Sequence, residues 1–459
     1  MSLATVPTPT ADSRLDELIA GQEAVFLRRQ PTSAALVARA RLSLAGGATS
    51  NWQIASPQSV WLSHGERGHI FDVDGMDYVD MHGGYGVSLV GHGHPAIVRA
   101  VQDRVTRGTH FAQPTEDAIV VAEELSRRFG VPLWRFGNSG TEATMDAVHL
   151  MRAVTGRDLV IKVEGCYHGH HDSVEVSVLP DEGDIGPADR PIGVAGNTGI
   201  PAAIRDLIVV VGFNDLGAVA RVLDENPGQI AGMIVEPVMM NAGIIPPDPG
   251  YLEGLRDLLH GHGALLAFDE VKTGLTVSPG GATAMFGVTP DLICLAKALG
   301  GGIPVSAIGG VAEVMEAIAD GTYEQVGTFN GNPLSMAAAR ATLLEALTPG
   351  AYAHLDVLRE RLVSGITGVL EEKELVWPVV AIGAKGCLTF RDRPVRNYRD
   401  FLEIDDRLGY LHWLVQHNGG VFMPPWGKVE QWLINIQHEE ADVDTFVANV
   451  STLATLVRG

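Results

Sequence analysis

Asp269 and Lys297, 28 positions apart, are the pair in this chain best suited to act together on a substrate. Asp269 closes the apolar run 265–268, which reads as a buried strand ending in a carboxylate, and a desolvated carboxylate is costly unless a cation meets it. Lys297 stands among apolar and small residues at 295–304, beside the glycine run 300–302. Burial in such a setting lowers an ammonium pKa and frees the amine to condense with an aldehyde, while a carboxylate can keep a pyridine nitrogen protonated as an electron sink. Those are the requirements of pyridoxal 5'-phosphate (PLP). A lysine that snorkels to solvent is the competing explanation, and the uncharged surroundings of Lys297 weaken it.

Three further stretches could serve the same cofactor. Residues 137–143 follow a predicted strand and open a helix with apolar positions at Ala143, Ala147, Leu150, Met151 and Val154. Small residues there let the backbone approach an anion, so Ser139, Gly140 and Thr141 form a candidate phosphate cradle at a helix N-terminus. An ordinary N-cap gives the same pattern, and the Gly-Lys-Ser/Thr of a nucleoside triphosphate loop is absent. In 165–172, Tyr167 can stack on a flat ring, with His168 beside it. His92, His94, His168, His170 and His171 suggest zinc instead, but no two stand at the i, i+4 spacing of a zinc protease and there is no cysteine pair, so no metal is expected. Glu236 and Asn241 follow a strand at 232–235, where Glu236 serves either the site or a structural pairing.

The elements that must position these residues are short apolar strands alternating with helices. Strands are predicted at 133–136, 159–163, 207–211, 232–235, 265–269, 292–295 and 307–310. Such alternation implies a largely parallel sheet covered on both faces, with the site at the strand carboxyl ends. Before it, 1–13 reads as a loose tail, 14–44 as a helical stretch broken by Gly46 and Gly47, and 60–81 as a small β element turning at Asp74 and Gly75. After it, a helix over 334–347 leads to an α+β segment from 352 onward. The expected division is an N-terminal segment 1–93, a large cofactor-binding domain 94–339 and a C-terminal small domain 340–459.

Composition narrows the partners. With 33 basic against 55 acidic residues the net charge is −22, which disfavours nucleic acid. No apolar run approaches the roughly 20 residues needed to span a bilayer, and the N-terminus lacks the pattern of a signal peptide. Three scattered cysteines, Cys166, Cys294 and Cys387, give no disulfide framework, so a cytoplasmic protein is expected.

In order along the chain stand Gly46-Gly47, Gly91-His92-Gly93-His94-Pro95, Asn138 to Ala143, Tyr167-His168-Gly169, Glu236-Pro237-Val238, Asp269-Glu270-Val271, Lys297 and the run 327–333. This series resembles the class III aminotransferases of the PLP fold type I superfamily, above all their glutamate-1-semialdehyde aminomutase-like branch. The resemblance covers about 46–446. It implies an α/β fold with a mostly parallel central sheet between helices, plus a smaller α+β domain built from the N- and C-terminal parts. It also implies that Lys297 forms the internal aldimine, that Asp269 pairs with the pyridine nitrogen, and that Val271 and Tyr167 pack on opposite ring faces. Ser139, Gly140 and Thr141 would hold the phosphate, joined by Thr328 of a neighbouring subunit in a homodimer. Asn241 would contact the phenolic oxygen, supported by Glu236.

The resemblance also has gaps. Gln53 and Ser50 stand where aminomutases and β-amino-acid aminotransferases, respectively, carry a carboxylate-binding arginine, and Trp426 lies where the latter carry a second. Trp52, Gln53, Tyr85, Phe329 and Trp426 are expected to line the substrate pocket, and Arg391, Arg393, Arg396 and Arg399 are the candidates to bind a keto-acid carboxylate. The expected activity is transfer of an amino group from an amine or amino acid to a keto acid such as pyruvate or 2-oxoglutarate. Intramolecular transfer of the aminomutase type is the alternative.

Overall fold

The computed structural model describes residues 11–425, 427–429 and 431–458, so Trp426 lies outside the described residues. The expected helix over 14–44 is two helices, Ala11–Arg29 and Pro31–Ala40. Pro31 is the cause: lacking an N–H it cannot continue the first helix, but its fixed φ suits the first turn of the second. The first helix begins inside the stretch expected as a tail, of which 1–10 lie outside the described residues.

Two hairpins follow, built from β1 (Leu62–Glu66), β2 (His69–Asp72) and β3 (Asp77–Asp80). The turn between β2 and β3 falls at Asp74 and Gly75 as expected. There Asp72 Oδ1 accepts the N–H groups of Asp74 at 2.9 Å and Met76 at 2.8 Å.

The central sheet contains β4 (Leu133–Gly137), β5 (Leu159–Val163), β6 (Ile208–Val211), β7 (Ile230–Val235), β8 (Leu265–Asp269), β9 (Leu292–Leu295) and β10 (Ser306–Gly310), in the spatial order β4-β10-β9-β8-β7-β5-β6. Each of the seven predicted strands is present. β7 is buried at every position, as a strand with helices on both faces must be. Only β10 runs against the others. The connection 296–305 explains this, because a parallel return needs a crossover of about a dozen residues or more, whereas an antiparallel neighbour needs only a short turn. Lys297 sits in that turn.

C-terminal to the sheet, a helix Pro333–Ala341 leads through a wider turn into the long helix Pro349–Glu372. Strands β11 (Val379–Ile382), β12 (Lys385–Leu388), β13 (Val421–Phe422) and β14 (Trp432–Leu433) follow. β11, β12 and β14 form a small sheet, while β13 pairs with β3, so the two ends of the chain share one β element.

Candidate active site

The carboxyl ends of β4, β5, β7, β8 and β9 point to one edge of the sheet, and the residues after them enclose a cavity of about 880 Å³. Asp269 ends β8 on its wall, 4% exposed. Its Oδ2 lies 2.7 Å from His168 Nδ1, and its Oδ1 accepts the Val271 N–H at 2.9 Å. His168 Nε2 is buried with no partner among the described residues. Lys297 lines the same wall with a left-handed φ of 45°, a conformation that costs a side-chain-bearing residue about 1 kcal/mol or more. Its side chain runs past Gly86, where an added Cβ would lie 3.6 Å from Lys297 Cδ.

The loop after β4 enters the helix Gly140–Thr155, where Ser139 and Glu142 form a capping box. The N-cap reading of Ser139 therefore holds. Glu142 takes the N–H groups of Asn138 and Ser139, while those of Gly140 and Thr141 have no partner among the described residues, and both residues line the cavity. Two free donors at the positive end of a helix of 16 residues suit an anion. Gly140 also admits Val271, since a Cβ there would meet Val271 Cγ1 at 2.9 Å.

Opposite stand aromatic walls. Tyr167 and Trp52 have ring centroids 5.1 Å apart, and Trp52 meets Tyr85 edge-on at 4.8 Å. Burial, with the charges of Glu175 and Asp269, pushes the Tyr167 phenol up to about 12, so it stays protonated. Below, Glu236 accepts Tyr167 N–H and Asn241 Nδ2, each at 2.9 Å. A second chamber of about 550 Å³ opens beyond Trp52 and Tyr167, with Val178, Leu179, Pro180, Val194 and Ala195 on its walls.

The cavity thus gathers Ser139, Gly140, Thr141, Tyr167, His168, Glu236, Asn241, Asp269, Val271 and Lys297, together with Trp52 and Tyr85. Other expected residues go elsewhere. Gln53 turns its side chain to Thr49, whose N–H and hydroxyl it accepts at 3.2 and 2.6 Å. Phe329 is 58% exposed and its ring meets His110 at 5.2 Å, while Thr328 is exposed beside it, outside the cavity of its own chain. The four arginines are corrected most firmly. Arg391 and Arg393 pair with Glu403, Arg396 with Asp248 and Arg399 with Glu164, and none lines the cavity. Arg396 and Arg399 meet carboxylates far away in the chain, which a reading of local sequence does not show, while Arg391 and Arg393 share Glu403 twelve and ten residues on. Of the histidines considered for zinc, His92 pairs with Asp80 and His170 meets Thr141, while the His171 imidazole is held neutral by burial, down to about 4.

Lys272 is a cavity residue that the sequence reading missed. It is buried, and its Nζ donates to Met240 O at 2.8 Å. Its place three residues after Asp269, at the same strand end, was the available signal.

Residues 54–432 match the family model for class III aminotransferases. Glutamate-1-semialdehyde 2,1-aminomutase 2 of Brevibacillus brevis is 37% identical over 419 residues, covering 90% of this chain and 95% of that protein. An omega-transaminase from Sphaerobacter thermophilus superposes with a TM-score of 0.88 at 33% identity, over 93% of this chain and 98% of that one. A glutamate-1-semialdehyde aminomutase from Pseudomonas aeruginosa, solved in complex with PMP, superposes with a TM-score of 0.89 at 29% identity, over 97% and 98%. The fold is that of the PLP fold type I transaminases, and class III enzymes depend on PLP. With the family match running from just after Trp52 to β14, this chain belongs to the class III aminotransferase family.

Proposed function

We propose that this enzyme uses PLP to move an amino group from an amine with an apolar body to a keto acid such as pyruvate or 2-oxoglutarate. The observation that carries this reading is the convergence, in one cavity, of a buried carboxylate, a lysine and a helix N-terminus with two free donors. Bound there, PLP would supply an aldehyde and an electron-withdrawing pyridine ring. Gly140 and Thr141 would hold its phosphate through backbone N–H groups, with the Ser139 and Thr141 hydroxyls close by. Val271 and Tyr167 would enclose the ring, and Asp269 would keep a proton on its nitrogen. Lys297 Nζ would hold the aldehyde at rest and, once displaced by the substrate amine, carry the proton between carbons. Asn241, fixed by Glu236, would face the ring's phenolic oxygen.

Amine transfer between two substrates is favoured over intramolecular transfer by the substrate side. Among the described residues no arginine lines the cavity, Gln53 turns away from it, and the second chamber combines apolar walls with the carboxylates of Glu175, Asp181 and Asp184. A desolvated carboxylate without a donor is costly for an amino-acid donor and a keto-acid acceptor alike, so the distinction rests on the amine, whose aromatic or aliphatic body gains about 25 cal/mol for each Å² it buries. Steady-state kinetics should therefore rank an aryl-alkyl amine with pyruvate above a β-amino acid, and both above glutamate-1-semialdehyde. Efficient isomerisation of glutamate-1-semialdehyde with no added keto acid would establish the aminomutase instead.

The working unit in this reading is a cytoplasmic homodimer with shared active sites. Val326 and Phe329, 80% and 58% exposed, flank Thr328, and Asn330 just beyond bonds Asn138 on the cavity wall at 3.1 Å. Exposed apolar side chains so close to a site mark a surface for another subunit. A Phe329→Asp variant should shift the dimer toward monomer in light scattering and release PLP faster, because Thr328 departs with the partner. A monomer that retains PLP as firmly as the dimer contradicts the shared site.

A further inference from the structure

Lys162 is a buried cation that the proposed chemistry leaves unused, and its contacts end on the peptide that carries Tyr167. It lies on β5 and is 0% exposed. Its Nζ donates to Val163 O at 3.2 Å and to Cys166 O at 2.5 Å. The Cys166 carbonyl and the Tyr167 N–H are opposite ends of one peptide unit, and that N–H donates to Glu236 Oε1 at 2.9 Å. The same carboxylate takes Asn241 Nδ2 at 2.9 Å and the Met240 N–H at 2.8 Å.

A peptide unit is planar and turns as one piece, so an ammonium at its oxygen and a carboxylate at its nitrogen oppose any rotation with two charge-assisted bonds. Rotation there would change φ at Tyr167 and swing its ring, which forms the wall shared by the main cavity and the second chamber. Burial brings the Lys162 ammonium down to about 8, a fall limited by the neighbouring Glu236 and Glu164 carboxylates, which leaves it above neutral pH. A charge at this depth is unfavourable for stability alone, and an apolar residue of similar length would fill the space at lower desolvation cost.

We propose that Lys162 is a positioning residue: with Glu236 it clamps the Cys166–Tyr167 peptide, and so holds the Tyr167 ring as the wall against which the cofactor ring rests. This rests on the PLP reading above. Lys162→Met, Tyr167→Ala and the double variant provide the test. The readouts are PLP affinity by titration of the cofactor-free protein, induced circular dichroism of bound PLP, and the thermal midpoint measured without PLP.

Lys162→Met should lose roughly tenfold or more in PLP affinity, the scale of one hydrogen bond to a charged group, and should weaken the induced signal. Lys162→Arg, which keeps charge and donors, should recover most of both. In the Tyr167→Ala background the Lys162→Met loss should shrink to about threefold or less, because the ring it positions is gone. An equal loss in both backgrounds, or unchanged affinity in Lys162→Met, overturns the proposal. If Lys162→Met does not fold, Lys162→Gln takes its place in the same comparison, with the same two outcomes against it. Failure of the wild-type protein to bind PLP refutes the cofactor reading itself, a result distinct from wild-type binding with an unaffected variant.

Discussion

Lys297→Ala should lose the borohydride-stable attachment of PLP and cut turnover by roughly a hundredfold to ten-thousandfold, the range for removing a positioned proton carrier. The sharpest rival is Lys272, which lines the same cavity. Three features favour Lys297. It sits in the tight turn after β9 with a left-handed backbone, a strain more usual at functional positions than in ordinary loops. It lines the cavity among small and apolar neighbours, Ala296, Gly302 and Ile303. Lys272, by contrast, directs its ammonium to the Met240 carbonyl, which favours a structural duty. Borohydride reduction of the wild-type protein followed by peptide mapping decides between them. Label on Lys272, in the wild type or surviving in Lys297→Ala, would reverse the assignment.

The central sheet was legible from sequence because its inner strands are short apolar runs of nearly uniform burial, with the edge strand β4 more exposed. Apolar content does not record strand direction, so the reversal of β10 was not legible, although the short turn before it was the available clue. At the site, residues tied to a strand end could be read: Asp269, Tyr167, Glu236 and Ser139 each stand at or just after a run of strand residues. Residues whose role depends on distant partners could not. Arg399 and Arg396 looked like free cations because their partners Glu164 and Asp248 lie about 150 positions or more away, whereas Glu403, the partner of Arg391 and Arg393, stands only twelve and ten residues on and was within reach of a sequence reading. The Lys162 contact was hidden for a different reason. It reaches only four residues along the chain, but its meaning depends on Glu236 at the other end of the same peptide.

Asp269→Asn should leave the fold and the proposed dimer intact and reduce turnover by roughly a thousandfold, or about 4 kcal/mol at 1.4 kcal/mol per tenfold. The amide is nearly isosteric. Its oxygen can still accept the Val271 N–H, and its NH2 can face His168 Nδ1 if the imidazole shifts its proton to Nε2. What disappears is the negative charge. A carboxylate only 4% exposed carries a desolvation cost when ionised, and in the proposed arrangement a protonated pyridine nitrogen is the cation that offsets it. The comparison should include a PLP analogue methylated on the ring nitrogen, which carries its positive charge without a proton. In Asp269→Asn that analogue should recover part of the lost rate, whereas in the wild type it should gain nothing. Near-normal turnover of Asp269→Asn with ordinary PLP would remove the carboxylate from the chemistry and leave it a structural partner of His168.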